Sequence, residues 1–140
     1  MYYTALDISK YVVTKCTAES CAITNLQLQK ILYYIQKEYL AKGSAAFGDP
    51  IEAWKFGPVV REVYYYFCGY GAMPIVADYD FMPEPADRSI IDKIVCEKRV
   101  LDPWQLVEDT HKHDKAWALT FKDGEGNKTI IDNELIRTHG

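Results

Sequence analysis

Several things are scarce in this 140-residue chain, and each scarcity removes a class of protein. No stretch approaches roughly 18 uninterrupted apolar residues, the length that a membrane-spanning helix needs. The opening MYYTALDISKYVV places Asp7 within its apolar positions and has no basic leader, so a cytoplasmic protein is expected. Cys16, Cys21, Cys68 and Cys96 contain no Cys-x-x-Cys and lack the ligand spacing of a zinc site; they read as small core or semi-exposed thiols. No cysteine sits at a helix N-terminus beside a basic group, where its thiol would be activated. Basic charge is short as well: 16 Lys and Arg against 20 Asp and Glu leave a formal net charge of −4. A sequence-independent grip on phosphates needs the opposite balance, so nucleic acid is not an expected partner. Gly69-Tyr70-Gly71 follows a helix instead of joining a strand to one, the wrong context for cradling phosphate. Repeats, low-complexity tracts and linkers are missing, and residues 1–140 are expected to form a single domain around one core.

What remains is an ordinary globular composition, 49% apolar and 26% charged. Ile8, Tyr11, Val12 and Cys16 recur at helical spacing and predict a helix over 4–17. Thr24 and Gln27 form a capping box that opens a second helix over 25–42, stopped by Gly43. Ile51 to Phe56, bounded by Asp49-Pro50 and Gly57, reads as a short extended segment. Gly57-Pro58 reads as the start of a third helix running to Gly69. Pro74, Pro83 and Pro85 impose a loop over 73–85, expected to pack through Tyr79, Phe81 and Met82. Further helices are expected over 87–97, after the Asp102-Pro103 start, over 114–119, and from Asp132 to Ile136. Lys128 to Ile131 reads as a strand pairing with either 117–122 or 51–56. The expected fold is mainly α with a minor β part: one compact domain of five to six helices and a small two- or three-stranded β element.

On the second helix, Leu28, Ile31, Leu32, Ile35 and Tyr39 form the expected core stripe. Leu26, Lys30, Tyr33 and Lys37 then line the opposite side, an aromatic and basic stripe read as outward-facing. Eleven tyrosines in 140 residues is a high count, and Tyr64-Tyr65-Tyr66 cannot all face one core because helix neighbours stand about 100° apart. Tyrosine suits interfaces, having a large apolar ring and a wettable hydroxyl. Lys30, Tyr33, Lys37, Arg61, Tyr65 and Tyr70 are therefore the expected partner-binding residues, with self-association also open to that surface. Trp54 reads alternatively as a core residue that fixes the second and third helices. His111-x-His113 with Glu108, Asp109 and Asp114 contains the residue types of a metal site or general base. On a helix the two rings point about 200° apart and cannot chelate, so neither metal nor cofactor is expected.

The string Leu28-Gln29-Lys30-(x2)-Tyr33-Tyr34, then Glu52-Ala53-Trp54-(x)-Phe56-Gly57-Pro58-Val59-Val60, then Thr110-His111 with Trp117 beyond, resembles one family. It is similar to the Panacea-domain family, the SocA-like antitoxins of bacterial and prophage toxin–antitoxin systems, which include phage-associated proteins. The resemblance runs from Thr4 to about Ile136 and departs at Ala116, where the family usually carries proline. It implies a non-catalytic antitoxin that neutralises a cognate protein toxin, encoded by a neighbouring gene, through direct binding. It also implies structural motif roles for Glu52, Trp54, Gly57, Pro58, His111 and Trp117, with Thr110 and His111 bonding the carbonyls at a helix end. The competing expectation is a small metal- or histidine-dependent hydrolase using His111, His113 and nearby carboxylates.

Overall fold

The computed structural model describes residues 3–140. Helix α1 (Ala5–Ala18) starts at Thr4, whose hydroxyl accepts from the Asp7 N–H while the Asp7 carboxylate accepts from the Thr4 N–H. This is a second capping box beside the expected one. Helix α2 (Asn25–Ala41) starts at the first, with Gln27 N–H donating to Thr24 Oγ1 and Thr24 N–H to Gln27 Oε1. Strands β1 (Glu52–Trp54) and β2 (Gly57–Val59) form a tight antiparallel hairpin that pairs Glu52 with Val59 and Trp54 with Gly57. Gly57-Pro58 is thus the start of a strand, which corrects the expected helix start. Gly57 has φ +115, outside helical range, and Pro58 lies on an edge strand, where a missing N–H costs no ladder bond. Helix α3 (Arg61–Tyr66) begins only after Val60 and is followed by a 3-10 turn at Cys68–Tyr70 that Gly71 ends with φ +58.

After the proline-rich loop come α4 (Pro85–Lys98) and α5 (Pro103–Thr110), the latter capped by Asp102, whose carboxylate accepts from the Trp104 N–H at 2.8 Å. Then follow α6 (Ala116–Phe121), β3 (Thr129–Ile130) and α7 (Asn133–His139), which Asp132 caps. β3 pairs with β1, Ala53 opposite Thr129, so the sheet order is β2-β1-β3 and the strand at 51–56 is its partner. The described residues form one mainly α domain with seven α-helices and a three-stranded antiparallel sheet.

α2 runs through the middle and packs against α1, α3, α4, α5, α7 and β2. Its Leu28, Ile31, Leu32 and Ile35 are fully buried with Ile8, Val12 and Cys16 of α1 and Ile91 and Val95 of α4. Each such aliphatic side chain contributes about 1.5–3 kcal/mol by leaving water. In the loop, Tyr79 and Phe81 pack on this core, but Met82 is exposed, contrary to expectation. Extended backbone alternates its sides, so Phe81 and Pro83 turn inward and Met82 turns out. Ile75 is the fully buried residue of the segment, held by an isolated bridge to Ile23.

Candidate protein-docking face

The second face of α2 is the largest correction. Lys30 and Tyr33, expected to be outward-facing, are 0% and 2% exposed, and Gln29 and Gln36 are buried beside them. The amides explain why a polar stripe lies inside. Gln36 Oε1 accepts from Ala46 N–H at 2.8 Å and its Nε2 donates to Phe47 O at 2.9 Å. Gln29 Oε1 accepts from Val60 N–H at 2.9 Å, its Nε2 donates to Asn25 Oδ1, and Asn25 Nδ2 donates to Tyr64 O. The buried amides supply partners to the loop backbone at 46–47 and to the ends of α3, the Val60 N–H before it and the Tyr64 carbonyl in its last turn.

Lys30 sits beyond them with no carboxylate. Its Nζ makes one long hydrogen bond, 3.4 Å to the carbonyl of Pro58. Burial brings the amine down to about 7. The same close packing explains Gly57: a Cβ there would stand 2.7 Å from Lys30 Cε and 3.0 Å from Thr110 Oγ1.

The motif residues gather around this point. Trp117 Nε1 donates to Trp54 O at 2.7 Å, tying α6 to β1, and its ring stacks on Phe121 and on His111. The His111 ring lies parallel to Trp117 at 3.7 Å, with Nε2 buried and unpartnered; at the helix end Thr110 Oγ1 donates to Val107 O at 2.8 Å, and His111 contributes its backbone N–H, to Val107 O and Glu108 O at 3.1 Å. The expected imidazole bond to a helix-end carbonyl is therefore corrected for Nε2. Burial, reinforced by the Lys30 charge, depresses the His111 pKa. His113 is exposed, and among the described residues no three His, Cys, Asp or Glu side chains converge to hold a metal ion. Glu52 takes a two-pronged contact from Arg61, Nε to Oε2 at 3.0 Å and Nη2 to Oε1 at 2.9 Å, and a third bond from Trp54 Nε1. Burial pushes the Glu52 carboxyl up, but these bonds outweigh it and hold it below its usual range.

Aromatic surface surrounds this hub. Trp54 is half-buried, its ring 5.1 Å from Tyr64 and 6.2 Å from Tyr65, with the Arg61 guanidinium 5.6 Å from its centroid. Phe56, at the hairpin tip, meets Trp104 of α5 edge-on at 5.3 Å, and the two are 45% and 58% exposed. Tyr65, Tyr66 and Tyr70 are exposed too, Tyr70 donating its hydroxyl to Val76 O. Leu26, Trp54, Phe56, Tyr64 and Trp104 line a cavity of about 360 Å³ whose wall includes Lys30. Lys37 lies elsewhere, in a second cavity of about 250 Å³ with Tyr34, Asp109, Lys112 and Lys115. Of the expected partner-binding residues, Arg61, Tyr65 and Tyr70 are exposed and Lys37 is partly so; Lys30 and Tyr33 are interior. The sequence reading missed Phe56 and Trp104. A signal for Trp104 existed: it and Leu106 are two positions apart on one helix, about 200° around it, so both could not face the core.

A mainly α domain with a polar-lined central helix and an exposed aromatic face is thus the class of molecule to be placed. Residues 28–118 match the family model for the antitoxin SocA-like Panacea domain, and the chain belongs to that family. It is 28% identical over 129 residues to antitoxin SocA of Caulobacter vibrioides, covering 82% of this chain and 69% of that protein. No solved structure matches it. None of the described helices is long and apolar enough to cross a membrane.

Proposed function

We propose that this protein is a cytoplasmic, non-catalytic antitoxin that neutralises a cognate protein toxin by binding it directly through the aromatic face. The observation that carries the reading is the exposure of Phe56 with Trp104, of Tyr65 beside Trp54, and of Tyr66 and Tyr70 on Phe67, on a chain of the SocA-like antitoxin family. Large rigid rings contribute contact area at small entropic cost, and aromatic residues are enriched among the few that dominate binding energy. Arg61, already fixed by Glu52, adds a pre-oriented cation at the edge of the face, and Lys37 extends the contact zone from its own cavity. Lys30 contributes from the wall of the aromatic cavity and Tyr33 from the wall of the Lys37 cavity.

Neutralisation is then mass action. A complex of ordinary size buries about 1,600 Å² in total and occludes or locks the toxin. The net charge of −4 favours encounter with a basic partner. The test is co-expression with the protein encoded by the neighbouring gene. Growth arrest by that protein alone, relief by this chain and a stable co-purifying complex are expected. Growth arrest that this chain leaves unrelieved, or no growth arrest and no complex, overturns the reading. Size-exclusion chromatography of the chain alone shows whether a second copy competes for the same face.

A further inference from the structure

The aromatic cavity has a chemistry of its own. Leu26, Phe56 and Trp104 give it an apolar mouth, and Asn25 and Gln29 of its wall spend their amides on the backbone network. The wall holds no carboxylate and two lysines: Lys55 is exposed, with its Nζ 5.4 Å from the Phe56 ring centroid, whereas Lys30 is the buried one, with a single 3.4 Å hydrogen bond where an ammonium has three donors to offer. The groups around the amine are the Pro58 carbonyl, the Thr110 hydroxyl on α5, and His111, which feels its charge. None is negatively charged. A buried lysine with no counter-ion costs folding free energy, and a carboxylate brought to it in a dry pocket recovers that cost.

Resting on the antitoxin reading, we propose that this cavity receives an apolar residue of the partner chain with a carboxylate beside it, and that Lys30 recognises the carboxylate. The simplest such group is an apolar C-terminal residue, which carries both on one Cα. Lys30 shows no surface in the empty cavity, so its ammonium leaves the Pro58 carbonyl to make the new pair. Phe56 and Trp104, exposed and edge to face, close over the apolar side chain.

N-acetyl-phenylalanine and its uncharged amide are the probes, titrated into the full chain while the indole N–H resonances of Trp54 and Trp104 are followed by NMR. The acid is expected to shift both indoles and to bind at least tenfold more tightly than the amide. Lys30→Met should equalise the two, and Trp104→Ala, at an exposed position that folding does not need, should weaken both. Equal binding of acid and amide, no binding of either at millimolar concentration, or a preference that survives Lys30→Met overturns the assignment. In the complex with the neighbour-encoded toxin, Lys30→Met should weaken affinity at least tenfold; unchanged affinity sinks this inference and leaves the antitoxin reading intact. Acid-selective probe binding without any toxin complex would assign the cavity to a free small carboxylate and overturn the protein occupant. Dissociation of a homodimer by the acid would overturn it in favour of a second copy.

Discussion

Helix α2 and the rim around its N-terminal half distribute polarity in opposite senses. Along α2, Asn25, Gln29, Lys30 and Gln36 lie inside the protein, while Phe56, Tyr65 and Trp104 on the rim stand in solvent. The two inversions have different causes. The interior amides satisfy backbone groups of the segment at 46–47, Val60 and Tyr64, so their polarity supports the fold. The rim aromatics pack mainly on one another, Phe56 on Trp104 and Tyr65 on Trp54 and Tyr64, and their exposure contributes little to the fold. Substitutions should therefore separate the regions: interior polar changes act on stability, rim changes on binding.

The largest expected effect is at Gln36. Gln36→Leu keeps the volume nearly constant but strands the Ala46 N–H and the Phe47 carbonyl, each buried. At about 1–3 kcal/mol per unsatisfied group, the loss should be about 3 kcal/mol, read as a lower denaturant midpoint at unchanged slope. A loss below about 1 kcal/mol would mean that water replaces the amide, and the contrast between the regions would weaken. Next comes Gly57→Ala, which forces a Cβ against Lys30 Cε and puts a side chain at φ +115; about 2 kcal/mol is expected by the same measurement.

Much of this architecture was legible from local rules. The Thr24 and Asp102 starts, the Gly43 stop and the last helix follow from capping chemistry that needs no tertiary context. Gly57-Pro58 misled because proline's φ suits both a first helical turn and an edge strand; the choice is made by β1 and by the approach of Lys30, a residue far along the chain. The polar side of α2 misled for a similar reason. Helical periodicity shows which residues share a face, but whether a glutamine meets water or a stranded backbone N–H depends on where the loops pass. Arg61 and Tyr65 were legible as exposed because neighbouring helix positions diverge, and Phe56 and Trp104 meet only through the hairpin and α5.

Lys30 sharpens the comparison through its pH dependence. In the folded protein the amine lies near pKa 7, against 10.5 for the free side chain. Above pH 10.5 it is neutral in both states and costs nothing; as pH falls toward 7 the unfolded chain takes up the proton first, and stability declines. Lys30→Met removes that penalty. The variant should be more stable than the wild type at pH 7, with the gap closing as the pH rises past 10.5. A pH-independent gap would show that the amine is charged and compensated in the free protein.

The smallest stability effect belongs to the rim, where the binding effect is expected to concentrate. Trp104→Ala removes a side chain that is 58% exposed on the first turn of α5, and its capping bond runs through the backbone N–H, which alanine keeps. The denaturation midpoint should shift by no more than about 0.5 kcal/mol. Affinity for the neighbour-encoded toxin should fall by about 2 kcal/mol, roughly thirtyfold, the cost of truncating an aromatic anchor at an interface centre. Tyr65→Ala should behave alike with a smaller loss, since its ring partly covers Trp54. The pair of measurements discriminates because a ring that only shields the fold would lose stability and affinity together. Stability unchanged with affinity reduced places the ring in the interface; both unchanged would move the docking surface off this rim, toward the Lys37 cavity.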